Sequence, residues 1–369
     1  MLENQKIKDD NLVNNLLWST NMYLRSLALS ALIVFFPASL QALKLKKVIE
    51  GNIAPKSVVH SGGGLFFAQN MMYRHSVTVY NRDFKLVKTI SDRIKLSDFG
   101  FRGKNTPLRG APVEVAFTRD KKYAYVSNYQ MHGKGYNKPG HDKCSPKENN
   151  DLSFVYRIPT DTLKIDQVIK VGSVPKYLAS TPDGKYILVS NWCTYDVSVI
   201  DIEKGEEIRR IKVGRFPRGI EVSPDSSTAY VAVMGSYNLA KINLRNFKVS
   251  YIKDVGRSPR HLNLSPDGQI LYATLNGEGL VAKIDVKTEQ VLKKVSTGHA
   301  PRSMQISKDG KSLYVVNYRS NTISKVTTGD MKVVASADTK PKPIGITFDD
   351  QTGQVWVSCY SGVIMVFQD

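Results

Sequence analysis

The sequence predicts an all-β protein folded as a seven-bladed β-propeller of four-stranded antiparallel blades, and three observations carry that prediction. Pro175, Pro217, Pro259, Pro301 and Pro343 recur every 42 residues. Each opens a unit of four short runs rich in β-branched and aromatic residues, the mark of a propeller blade. No run in the repeat keeps a 3.6-residue apolar rhythm long enough for a helix. Two degenerate copies, at Pro55 and Pro112, bring the count to seven, and the excess spacing there places an insertion in each.

Residues 1–42 lie outside the repeat. A charged flank at Arg25 is followed by the apolar run Ser26 to Phe36, then by Pro37 and a small-residue stretch ending at Ala42. This order predicts a secretory signal peptide cleaved after Ala42. The run is short for a bilayer span, and an uncleaved membrane anchor is the other reading. The segment before Arg25 is long for a leader, so Met22 competes with Met1 as the start.

The propeller is expected over residues 43–369. Lys46-Lys47-Val48-Ile49-Glu50-Gly51 precedes Pro55 as Ile211-Lys212-Val213-Gly214 precedes Pro217, so the first strand reads as the last strand of a blade. The C-terminal unit stops at Val363 to Phe367, its third strand. The N-terminal strand is therefore expected to complete the seventh blade and close the ring, hiding sheet edges. Within a unit, the opening proline leads an alternating run such as Ile220-Glu221-Val222 and then a Ser-Pro-Asp-Gly turn or a relative, as at Thr181 to Gly184, Ser265 to Gly268 and Ser307 to Gly310. Pro and Asp preset that turn and Gly ends it. A second run (Ile187 to Val189), a third (Val197 to Asp201) and a fourth (Glu207 to Gly214) complete the blade. The insertions fall at about 91–110 and 130–151, and both are expected on one face of the disc as a wall or lid.

Formal net charge is +19, and the leader adds nothing to it, because Lys6, Lys8 and Arg25 balance Glu3, Asp9 and Asp10. Such a field attracts nucleic acid, anionic glycans, acidic lipid surfaces or acidic proteins without choosing among them. The three cysteines fit export. Cys144 in the second insertion and Cys193 in the third unit read either as a disulfide between adjacent blades or as two separate thiols.

The position after each opening proline is Lys56, Val113, Lys176, Arg218, Arg260, Arg302 and Ile344, basic in five of seven units where composition gives about one. A propeller gathers these at one mouth of its channel, so the five predict a cationic ring. Plain alternation puts this position on the side of the apolar residues at Leu262 and Leu264, with the stems along the blade seam and the charged heads reaching the mouth. The competing reading is seam cover paired with carboxylates. Sixteen residues after the proline stand Asn128, Asn191 and Asn317, and the next position holds Tyr129, Trp192, Tyr318 and Tyr360. Amides and rings beside cations suit sugars, bases or planar anions, against ordinary strand-end packing. His132, His141 and Cys144 match no standard metal spacing, and no cofactor motif is found.

Val-Gly-x-x-Pro, Ser-Pro-Asp-Gly, Tyr-Val-Ser-Asn (Tyr125 to Asn128), Tyr-Val-Val-Asn (Tyr314 to Asn317) and Val-Ser-Val-Ile-Asp (Val197 to Asp201) resemble the YVTN-family β-propeller repeat of exported bacterial and archaeal proteins over about residues 46–369. The resemblance implies seven blades and a periplasmic or cell-surface location. A member of similar architecture binds single-stranded DNA. Lactonases and quinone- or haem-dependent redox enzymes share the scaffold, without their cofactor or metal constellations being visible here. The expected function is noncatalytic capture of an anionic ligand or partner (single-stranded nucleic acid, anionic glycan or acidic protein) at the basic ring. The alternatives are a lactonase or metal-assisted hydrolase, for which only Glu114 and His261 stand near the ring, and a surface adhesin.

Overall fold

The computed structural model describes residues 43–369, so the expected signal peptide lies outside the described residues. Seven four-stranded antiparallel sheets are arranged in a ring, with no α-helix among the described residues. The innermost strands are Ser57–His60, Pro112–Phe117, Pro175–Ser180, Pro217–Val222, Pro259–Leu264, Pro301–Ile306 and Pro343–Asp349. Each touches the next, and the last touches the first. The outermost strand of the seventh sheet is Lys44–Ile49, which pairs antiparallel with Val363–Gln368, Lys44 opposite Gln368 and Ile49 opposite Ile364.

Alternation along the strands fills the seams between blades. Leu188, Val197 and Val199 of the third blade pack with Ile220, Val231 and Ile242 of the fourth. The fourth and fifth meet through Tyr230, Ala232, Leu262 and Leu264. Between the seventh and first, Trp356 stacks on Phe66 with ring centroids 3.9 Å apart. Each seam thus removes apolar area from water at roughly 25 cal/mol per Å². The inner strands approach closely at Gly219 and Gly345. A Cβ on Gly219 would lie 2.9 Å from the Arg260 carbonyl oxygen, and one on Gly345 would lie 2.8 Å from Ser57 Cα.

The Pro-Asp-Gly turns are held by their own side chains. In the third blade, Thr181 Oγ1 donates to Asp183 Oδ1 at 2.6 Å, and the Lys185 amide donates to the same oxygen at 3.1 Å. Gly184 takes the positive φ of 75° that ends the turn.

Both insertions are ordered. The first carries a two-stranded pairing of Ile94–Lys95 with Pro107–Leu108 and a 3-10 turn over Leu96–Phe99. It packs Ile94, Leu96 and Leu108 against Met131, Phe154, Tyr156 and Val168 of the second unit. The insertions bridge each other through the Arg109 and His132 backbones. The second insertion is tied to the third blade by a disulfide between Cys144 and Cys193, with Cα atoms 5.3 Å apart. Cys359 is free and buried.

Candidate functional site

Two local features build the channel mouth. The residue before each regular opening proline lies in the left-handed region, with φ of 57° at Val174, 58° at Phe216, 57° at Ser258, 55° at Ala300 and 61° at Lys342. This conformation is uncommon for non-glycine residues. Its carbonyl then accepts the amide of the residue that follows the second strand: Trp192 from Val174 at 2.9 Å, Tyr318 from Ala300 at 3.1 Å and Tyr360 from Lys342 at 3.0 Å. The same bond joins Tyr129 to Ala111 at 2.7 Å. Rings are thereby fixed beside the start of the inner strand.

The second feature is a register shift after the proline in six of the seven inner strands, as between Pro175 and Tyr177 or Pro259 and Leu262. A bulge adds one unpaired residue and re-aims its side chain. Plain alternation therefore fails at this position, and the expectation that the basic residues share a side with Leu262 and Leu264 is corrected. Those leucines sit in the seam, whereas Arg260 lines a cavity at the channel mouth.

The cavity holds about 250 Å³ and brings together Lys56, Lys176, Arg218, Arg260 and Arg302 with Tyr129, Trp192 and Tyr360. Met71, Val113, Met234 and Asp142 complete the wall. Sequence reading passed over Met71 and Met234, although they hold the same position after the second strand as Tyr129 and Trp192. Tyr318 does not line the cavity, and its ring centroid lies 3.9 Å from the Arg302 guanidinium carbon. Ile344 is fully buried and outside the lining.

Asn128, Asn191 and Asn317 do not reach the cavity. All three are fully buried and tie their blade together. Asn191 Nδ2 donates to Asp196 Oδ1 at 2.9 Å and to Ser198 Oγ at 2.8 Å, and Asn317 Nδ2 donates to Ser324 Oγ at 2.9 Å. Asn128 Nδ2 donates to the Phe154 carbonyl at 3.2 Å. An amide at a strand end is equally suited to a ligand and to a neighbouring hydroxyl, which is why sequence could not separate the two roles. The wall or lid expected from both insertions is also corrected. The first packs on the second blade, and only Asp142 of the second lines the cavity.

Charge balance sets the character of the site. Lys56 Nζ pairs with Glu114 Oε1 at 2.9 Å, and Lys176 Nζ pairs with Asp142 Oδ1 at 3.2 Å. Among the described residues, Arg218, Arg260 and Arg302 have no carboxylate partner. Arg218 Nη1 and Arg302 Nε are buried without a hydrogen-bond acceptor, and Arg260 Nη1 meets only Met234 Sδ at 3.6 Å. Five cations face two carboxylates. Burial pushes the Lys56 ammonium down to about 7, with Glu114 opposing and Arg218 and Arg260 adding to the fall. Burial, then the Arg218 charge, holds Lys176 well below its ordinary value against the pull of Asp142. Arg260 and Arg302 are lowered by burial and by neighbouring guanidinium charge. An arginine keeps its proton regardless, so the repulsion is carried by the fold.

The rings shield what the carboxylates do not. Lys176 Nζ lies 3.9 Å from the Tyr129 centroid and 5.1 Å from that of Trp192, and Arg218 lies 5.9 Å from Trp192. Such contacts are worth about 0.5–2 kcal/mol each. Below the ring, a small cavity of about 50 Å³ is lined by Glu114, Tyr177, His261 and Gln305 among others. Burial pushes His261 down to about 3, and its Nδ1 has no partner. No group of three or more His, Cys, Asp or Glu suited to a metal ion occurs among the described residues.

Comparison with known proteins bears out the propeller. The family model "Lactonase, 7-bladed beta-propeller" matches residues 257–348, about a quarter of the chain. Comparison with curated proteins gives no match. Among solved structures, Kuenenia stuttgartiensis hydrazine synthase is similar, with a TM-score of 0.68 and 18% identity over 87% of this chain and 97% of that one. It is one of 1698 matching chains, a breadth that speaks for a shared fold and not for a shared activity.

Proposed function

We propose that this protein is an exported binding propeller of the YVTN type that captures a small, multiply charged anion, a phosphate or carboxylate compound, in the cavity at the channel mouth. One observation carries the reading: three arginines without carboxylate partners converge on a confined space. Guanidinium forks pair with phosphate or carboxylate through two parallel hydrogen bonds, and an anion relieves the repulsion stored among them. Ligand pockets for drug-sized molecules run about 300–1,000 Å³, so 250 Å³ suits something smaller. A nucleic acid or anionic glycan would enter by one charged group and lie across the rings of Tyr129, Trp192 and Tyr360. Export rests on the leader-like first 42 residues and on the disulfide, which belongs to an oxidising compartment.

Calorimetric titration of the purified protein with sulfate, pyrophosphate, citrate and a short single-stranded oligonucleotide tests this. Pyrophosphate or citrate is expected to bind, and the combined substitution of Arg218, Arg260 and Arg302 by Ser to abolish it. Binding indifferent to that substitution rejects the site, and binding of the oligonucleotide alone replaces the small anion with a polymer.

A second reading, hydrolysis of a lactone, is favoured by the partial lactonase match and by Glu114 and His261 beneath the ring. A lactone panel assayed with the wild-type protein and His261→Ala decides it. Loss of turnover in the variant would support it.

A further inference from the structure

We propose that Asp142 is a tethered internal anion, seated at the cation ring in place of ligand charge and displaced when the ligand arrives. This rests on the anion-capture reading above and assigns the second insertion the task of setting its threshold. Asp142 lines the cavity, yet it comes from the insertion and not from a blade. Its Oδ1 accepts both Lys176 Nζ at 3.2 Å and the Tyr129 hydroxyl at 3.3 Å. Its side chain is 79% exposed while that of Lys176 is 8% exposed, so the carboxylate caps a buried ammonium from the solvent side. An incoming anion approaches from the same side.

The strap that carries Asp142 is anchored closely around it. The Trp192 Nε1–H donates to the Asp142 carbonyl at 3.1 Å. The Cys144–Cys193 disulfide fixes the chain two residues further on, and the Tyr195 hydroxyl donates to the Cys144 carbonyl at 3.0 Å. Upstream, the Gln130 side-chain amide donates to the Gly140 carbonyl. A tether makes the second binding event intramolecular and raises the local concentration of its group. Asp142 thus competes with free anions for Lys176 at high effective concentration, although one exposed carboxylate binds an ammonium weakly. Lys176 charge pulls the Asp142 carboxyl below its usual range, so the internal anion is ionised at neutral pH. With Lys56 held by Glu114 of a blade, Lys176 is the one paired cation of the ring whose carboxylate comes from the insertion.

The test compares pyrophosphate binding by the wild-type protein, Asp142→Asn, the double variant Cys144→Ser with Cys193→Ser, and all three substitutions together. Removing the internal charge is expected to tighten pyrophosphate binding about threefold to fivefold, the worth of one partly exposed ion pair. Freeing the strap by the cysteine pair is expected to tighten it in the same direction, with no further gain when Asp142→Asn is already present. Wild-type binding that is unchanged or weakened by Asp142→Asn overturns the proposal while leaving anion capture standing. A cysteine effect that adds fully to that of Asp142→Asn also overturns it. Pyrophosphate binding by neither the wild-type protein nor Asp142→Asn removes the anion-capture reading and this proposal with it.

Discussion

Arg260→Met offers the most direct test of a cavity that stores repulsion for use in binding. Arg260 is only 5% exposed, its guanidinium donates to the Met234 sulfur at 3.6 Å, and Arg218 and Arg302 add like charge. Replacing buried ionic groups by apolar ones of similar volume is neutral to stabilising by about 1–4 kcal/mol, and methionine follows the arginine stem. Unfolding entropy of about 2.1 cal/mol/K per residue, applied to residues 43–369, makes 1 kcal/mol equivalent to roughly 1.5 °C. The variant should therefore melt about 1.5–6 °C higher than wild type in low-salt buffer lacking multivalent anions, measured by scanning calorimetry. Saturating pyrophosphate should narrow that gap. A ligand at a hundred times its dissociation constant adds about 2.7 kcal/mol, near 4 °C for wild type, and far less for a variant that has lost an arginine. A variant melting lower than wild type without anion would show Arg260 to be structurally compensated. Equal ligand shifts in the two proteins would place the anion elsewhere.

Lys56 gives the site a pH dependence. With its ammonium near 7, sulfate affinity should fall as pH rises from 6 to 8, and Lys56→Gln should flatten that profile in calorimetric titrations. The linked stability has the opposite sign: above about 7 the unfolded lysine holds a proton that the folded one lacks, so the Lys56 contribution to stability rises from there toward pH 10. Asn191→Ala should cost about 1–3 kcal/mol in urea unfolding through the loss of its buried hydrogen bonds to Asp196 and Ser198, with pyrophosphate affinity unchanged. Gly219→Ala should cost about 1–3 kcal/mol by forcing adjacent inner strands apart, seen as a lower urea midpoint. Loss of the Cys144–Cys193 link, which spans 49 residues, should cost at most about 4 kcal/mol, read as a lower melting temperature under reducing conditions.

The blades were legible because a 42-residue repeat states the same local choices again and again: a proline to open, an Asp-Gly turn, β-branched seams. The cationic ring was legible for the same reason, since Lys56, Lys176, Arg218, Arg260 and Arg302 hold equivalent positions. What escaped was whatever depends on a departure from regular pairing. Alternation cannot reveal the extra residue after Pro259 or Pro301, so Arg260 and Arg302 were assigned to the leucine side of the strand even though their charged heads were expected at the mouth, where they lie. Asn128, Asn191 and Asn317 failed as ligand candidates because their partners, the Phe154 carbonyl and the Ser198 and Ser324 hydroxyls, lie on the next strand. The insertions have no repeat to lean on. Nothing in Gln130 to Asp151 distinguishes Asp142 from its neighbours until Cys144 is tied to the third blade.

The irregular step after the opening proline of six blades also separates two roles within one short stretch of chain. The residue there belongs to neither the ladder nor the apolar seam, so exchanging it rewrites what the pore attracts while leaving the scaffold's packing intact. Five such positions, Val113, Lys176, Arg218, Arg260 and Arg302, surround one opening and make this architecture a socket whose contacts can be reassigned singly, blade by blade.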